Sequence, residues 1–236
     1  DPQLGDIMAC YAVDKLGYKK VAILYEITSE YSLGITNNFT DALEAKGGKV
    51  TICEAYKTGD VDFRAQLSKI KEFGDYDALM VPANYKEVGL ITKQARSMGI
   101  EVPFLGVDAW NMRDLFEIAG DEVQGSVFPG AMDVNAPELQ SFKEAFKERW
   151  DLDPDGAGTD SYLAHDCFDL LKWSIEKAGE ATPEKIREAM ENATEVPCLT
   201  SVISIDPETH NPLRNATIYQ VQGDEFVKID EYSLND

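Results

Sequence analysis

The chain has only two imidazoles, His165 and His210. His165 stands two residues from Cys167, and side chains two apart on a helix do not face each other, so they make no nucleophile–base pair. No G-x-S-x-G turn and no phosphate-cradling loop of the Gly-rich type occurs, and the loop after the first strand has a single glycine, short of a dinucleotide fingerprint. Asp151, Asp153, Asp155 and Gly156 imitate the start of a calcium loop. The twelfth position is Tyr162 where a bidentate Glu is needed, and Pro154 intrudes, so a polar loop is the expectation there. Cys10, Cys53, Cys167 and Cys198 lie far apart without a C-x-x-C pair, which gives zinc no support. No catalytic residue, metal site or cofactor is therefore expected.

The chemistry that remains is that of binding, and its position follows from the elements. The run 21–25, VAILY, is short, apolar and β-rich, as a buried parallel strand should be. From Ile35, the residues Ile35, Phe39, Leu43 and Ala45 recur at helical spacing. A polar loop, 26–34, separates the two and carries one aromatic, Tyr31. Ligands of open α/β sheets bind outside the carboxyl ends of the strands, so Tyr31 is a candidate wall of a small-molecule site. The competing reading is a loop tyrosine packed on its own helix.

Further units repeat the pattern. A helix over 7–16 precedes the first strand; Gly47 and Gly48 break the second helix, and 49–56 alternates as a strand. Asp60 or Asp62 is a natural N-cap for the helix carrying Phe63, Leu67, Ile70 and Phe73. Strands are expected at 78–81, 102–107 and 125–129, with helices over 87–98 and 115–119. The sum is an α/β domain with a parallel sheet and flanking helices. After Pro129 the pattern changes to three helices, 137–150, 161–178 and 183–192, with no strand between them and only 200–205 nearby to form a sheet. The tail, 216–221 and 226–229 around Gly223-Asp224, reads as a hairpin.

Composition bounds the partners. With 22 basic against 43 acidic residues, a formal net charge of -21, the chain lacks the clustered Lys and Arg that nucleic acid or anionic membrane requires. The opening DPQLGDIMACYAV shows no basic region ahead of an apolar core. Either the protein is cytosolic or a targeting segment lies outside this chain.

Several stretches in order resemble the type I periplasmic binding proteins of the branched-chain amino acid class. They are DPQLGDIMACYAVDKLGYKKVAILYE, EYSLGITNNF, GDVDFRAQLSKIK, NYKEVGLITKQARSMGI, FLGVDAW, AGDEVQGSVFP and YLAHDCFDLLKWSIEKAG. The resemblance spans nearly the whole chain. It implies a flavodoxin- or Rossmann-like second lobe, 1–129 and 216–236, with 130–205 returning to a first lobe whose sheet is mostly missing and 206–215 as a crossover. It implies an extracytoplasmic solute-binding protein, not an enzyme, that closes two lobes on an amino acid and delivers it to an ABC transporter permease. A lipoprotein anchor is one means of membrane association. The alternative is a ligand-sensing domain of the same fold coupled to a signalling partner. The apolar surface left by the missing sheet implies self-association or partial disorder of 130–205.

The resemblance also assigns residues. Tyr31 stands at the aromatic position of the first loop of the second lobe. Asn84 or Tyr85 occupies a second wall position. Asp108, in GVDAW, stands where amino-acid binders place the carboxylate that meets the ligand's α-ammonium, a buried cation that needs a charge-assisted partner. Asp108 as an N-cap of the following helix is the other reading. Trp110 closes over the ligand side chain or packs within the lobe. Tyr162, near the start of the late helix, is a further candidate for the cleft. By lobe, Cys10 would pair with Cys53 and Cys167 with Cys198 if disulfides form; free buried thiols are the other reading.

Overall fold

In the computed structural model, residues 2–157, 159–213 and 215–234 are described. The chain runs α1 (Pro2–Asp14), β1 (Lys20–Glu26), α2 (Glu30–Ala45), β2 (Lys49–Tyr56), α3 (Arg64–Phe73), β3 (Ala78–Met80), α4 (Tyr85–Ser97), β4 (Phe104–Leu105), α5 (Asp114–Ala119) and β5 (Val127–Gly130). It continues through α6 (Gln140–Trp150), α7 (Asp160–Ala178), α8 (Pro183–Glu191), β6 (Val196–Pro197), β7 (Val202–Ile205) and β8 (Pro212–Leu213) to β9 (Ala216–Gln222) and β10 (Glu225–Tyr232). Two compact units result: Asp1–Ala131 with Ala216–Asp236, and Met132–Asn215.

The first unit is built on a seven-stranded sheet in the order β10-β9-β5-β4-β3-β1-β2. The strands β1 to β5 are parallel, and β9 and β10 add an antiparallel hairpin beyond β5. Val21, Ala22, Ile23 and Leu24 of β1 are fully buried, which is what a strand covered on both faces requires and why its sequence is a continuous apolar run. Right-handed crossovers place α2, on the path from β1 outward to β2, on one face, and α3 and α4, on the return path, on the other. At Gly5 of α1 a Cβ would lie 2.7 Å from the Ile35 carbonyl oxygen of α2, so glycine lets the two helix backbones touch.

Helix boundaries show what pattern reading missed. The second helix begins at Glu30, not Ile35, because Ser29 caps it: the Ser29 hydroxyl accepts the Ser32 N–H at 3.3 Å, and Glu30 places negative charge in the first turn. Tyr31 thus sits on a helix, not in a loop. Neither Asp60 nor Asp62 caps α3. Phe63 is its N-cap residue, Asp60 accepts Lys57 N–H, and Asp62 accepts Arg64 N–H and the Arg64 guanidinium. Of the stripe on α3, Phe63, Leu67 and Ile70 are buried while Phe73 is exposed.

The second unit holds α6, α7, α8 and a three-stranded sheet, β6-β7-β8, of which only β7 has a counterpart in the sequence reading. The segment 206–211, expected in a crossover, is the loop of the β7–β8 hairpin, closed by Asp206 N–H to the Asn211 carbonyl at 2.9 Å. Its buried core is small: Met132, Leu139 and Tyr162, joined by Val134, Ala136, Phe142 and Leu199. The calcium-like run serves the fold instead. Asp155 receives Lys143 Nζ at 2.7 Å and the Tyr162 hydroxyl, and so ties the loop to α6 and α7. Tyr162 is accordingly buried within this unit. On α7, Phe168 is 61% and Leu171 41% exposed. Among the described residues no helix is long and apolar enough to cross a membrane, and all four cysteines are free.

Candidate functional site

The carboxyl ends of β1, β3 and β4 are stitched together by a few short side chains. Ser32, in the first turn of α2, is buried; its hydroxyl accepts Glu26 N–H at 3.0 Å and donates to the Pro82 carbonyl at 2.6 Å. One hydroxyl thereby fixes α2 against the ends of β1 and β3. Trp110 fastens the end of β4 to the same place: its indole Nε1 donates to the Val81 carbonyl at 3.2 Å. The ring lies beside Phe128, at 6.2 Å between centroids, and over Gly106, where a Cβ would come within 2.4 Å of it. Trp110 is fully buried. The structure puts it inside the unit, as a pin beneath the site and not on its surface.

Fixed in this way, Tyr31 and Asp108 meet. The Tyr31 hydroxyl donates to Asp108 Oδ1 at 2.5 Å, across the end of β3. The same oxygen accepts Ala109 N–H at 3.0 Å within the 3₁₀ turn Asp108–Trp110. Asp108 does not cap α5, whose N-cap residue is Arg113. Burial, then the Asp108 charge and its hydrogen bond, push the Tyr31 phenol well above its ordinary range, so it stays a donor. Among the described residues no hydrogen bond reaches Asp108 Oδ2. A half-exposed carboxylate with one oxygen oriented by the protein and the other open is suited to accept a cationic N–H donor.

Asn84 and Tyr85 open α4 directly after β3, beside this pair in the order of strand ends. Asn84 is exposed, and as N-cap residue it makes no side-chain cap bond, which leaves its amide available. Tyr85 is half-buried against the core, with Lys86 Nζ 5.8 Å from its ring centroid. Strand-end position named Tyr31 and the family resemblance named it with Asn84, Tyr85, Asp108 and Trp110, but both missed Ser32 and Ser29. The signal for them was present: a Ser one residue before an acidic first turn, ahead of the Ile35 and Phe39 stripe, marks a helix start.

Comparison with known proteins shows the family of the chain. The periplasmic binding protein family matches residues 1–225. The leucine-, isoleucine-, valine-, threonine- and alanine-binding protein of Pseudomonas aeruginosa is 30% identical over 200 residues, covering 84% of this chain and 52% of that protein. A crystal structure of a leucine binding protein, LivK, from Thermotoga maritima matches with a TM-score of 0.86 at 28% identity, over 100% of this chain and 66% of its own. The branched-chain amino acid transporter substrate binding protein LivJ of Streptococcus pneumoniae, solved with isoleucine, matches with a TM-score of 0.76 at 27% identity, over 94% of this chain and 62% of its own. The chain spans about half the length of the curated relatives it matches. On the extent of the family match, this chain belongs to the periplasmic binding protein family.

Proposed function

We propose that this chain is part of an extracytoplasmic solute-binding protein that captures an amino acid and hands it to an ABC transporter permease. The observation that carries the reading is the Asp108 carboxylate at the end of β4, with Tyr31 holding one oxygen and the other open. In this reading Asp108 Oδ2 receives the ligand's α-ammonium, the Tyr31 ring forms a wall, and Asn84 and Tyr85 line the far side. Trp110 contributes by holding the turn in place. The site binds and does not catalyse: the neighbour of Asp108 is a phenol kept protonated, which gives no acid–base pair. The relatives' names, which refer to leucine, isoleucine, valine, threonine and alanine, make aliphatic amino acids the first ligands to test.

The segment 130–205 is read as belonging to the other lobe, with trapping by closure of the two lobes about the ligand. The exposed Phe168 and Leu171 of α7 support a further sheet over that helix in the whole protein. Left bare, the same face would drive association of this chain with itself.

The test is a thermal-shift screen of the common amino acids on the whole protein and on this chain, since a ligand raises the melting temperature by mass action. Stabilisation by a few aliphatic amino acids, lost in Asp108→Asn, is the expected result. A whole protein that ignores every amino acid would remove the assignment of Asp108.

A further inference from the structure

A second polar cluster lies at the carboxyl ends of β1 and β2. Glu26 closes β1, Tyr56 closes β2, and the two are register partners on adjacent parallel strands, so their side chains leave the sheet on the same face. Glu26 is only 7% exposed. Its Oε1 accepts the Thr58 hydroxyl, with the Thr28 hydroxyl oxygen 3.4 Å away. Thr28 and Thr58 are joined hydroxyl to hydroxyl at 2.7 Å, and Thr28 Oγ1 accepts Thr58 N–H at 3.0 Å. Among the described residues no hydrogen bond reaches Glu26 Oε2, and neither Glu26 nor Glu87 forms an ion pair.

Tyr56 faces this cluster and is 2% exposed. Its ring stands edge-on to Phe63 at 5.0 Å, and its hydroxyl is buried with no hydrogen-bond partner. Burial first, then the charges of Glu26, Glu87 and Asp60, hold the phenol far above its ordinary range. Glu87 comes from the first turn of α4, and Asp60 is engaged with Lys57 N–H. The result is an acceptor-rich socket: an unpaired carboxylate oxygen and an orphan phenol oxygen. A water would satisfy hydrogen bonds here but leave the negative charge uncompensated. A cation with several N–H donors would satisfy both.

We propose that the ends of β1 and β2 form a subsite for a primary ammonium group, bound by the Glu26 carboxylate with the Tyr56 hydroxyl oxygen as second acceptor. The subsite does not depend on what Asp108 receives.

Methylammonium is the probe. The chain, labelled with carbon-13 at Glu Cδ and Tyr Cζ, is titrated with methylammonium chloride, and with tetramethylammonium chloride at equal ionic strength as control. Glu26 and Tyr56 are expected to shift saturably with a midpoint in the millimolar range, the range open to so small a ligand. Tetramethylammonium has the charge but no N–H, and should give no saturable shift. Tyr56→Phe keeps the contact with Phe63 and should weaken binding by at least about threefold. Glu26→Gln still accepts the Thr58 hydroxyl and should abolish saturation. A linear drift in the unmodified chain, or equal responses to both cations, overturns the proposal without reference to any variant.

Discussion

Replacing Gly106 by alanine should damage the Asp108 turn without touching Asp108. A Cβ at this position would stand 2.4, 2.5 and 2.8 Å from Cδ2, Cε2 and Cε3 of Trp110. Carbon atoms pack at about 3.5–4.0 Å, so the ring must retreat by about 1 Å. It has little room to do so, being fully buried beside Phe128 and tethered at 3.2 Å to the Val81 carbonyl. Overpacking of this kind costs about 1–3 kcal/mol. Losing the indole bond leaves the buried indole N–H unpaired, while the Val81 carbonyl keeps the Ala83 N–H at 2.9 Å, and an unpaired buried donor costs about 1–3 kcal/mol more. Together these predict a loss of about 2–6 kcal/mol. For a chain of this size that is a fall in melting temperature of about 4–24 °C, read by circular dichroism and tryptophan fluorescence. Gly106→Ala combined with Trp110→Phe vacates part of the clash, so the pair should cost less than the sum of the single changes. A single variant within about 0.5 kcal/mol of the parent, or strictly additive changes, would refute the account of Trp110 as the pin beneath Asp108.

Three further outcomes are expected. Ser32→Ala leaves Glu26 N–H and the Pro82 carbonyl without their shared hydroxyl, and urea unfolding should show a loss of about 2–4 kcal/mol; a neutral result would mean that solvent replaces it. Asp62 is held down to about 2 by hydrogen bonds from the Arg64 side chain and backbone, and a carboxyl NMR titration should find its midpoint there. The folded value lies below the unfolded one, so the stabilisation is present above about pH 4 and is lost as pH falls toward 2; Arg64→Gln should move the midpoint back up, and an unchanged midpoint would discard the pairing. Sedimentation should show self-association of this chain that weakens when Phe168 and Leu171 are both changed to glutamate, whereas a monomer at every concentration would count against an adhesive α7 face.

The parallel sheet was legible in the sequence because its signal is local. The run VAILY at 21–25 is apolar throughout, and glycines at 17, 47 and 48 mark the breaks around it. Tyr31 and Asp108 were found through strand-end position and family likeness, but their hydrogen bond joins residues 77 apart and has no sequence signature. The start of α2 was missed because apolar spacing begins at Ile35, while the helix is opened by the polar cap Ser29. Trp110 could be read as wall or core from its neighbours alone, and its burial is decided by Gly106 four residues earlier and by Phe128 from β5. Short strands such as β6 and β8, two residues each, carry too little pattern to be seen.

The pairing of Gly130 with Thr217 has a consequence for how this protein can be rebuilt. The chain leaves the first unit and re-enters it at neighbouring points of one antiparallel ladder, so everything between them is, to β5 and β9, a hairpin loop of unusual length. The entropy of closing such a loop grows only with the logarithm of its length. The sheet is therefore nearly indifferent to what is threaded through that gap. A two-residue Asn-Gly turn in place of 132–215 would convert β5 and β9 into an ordinary hairpin and release the first unit as a small domain, open to grafting of unrelated sequences at a single seam.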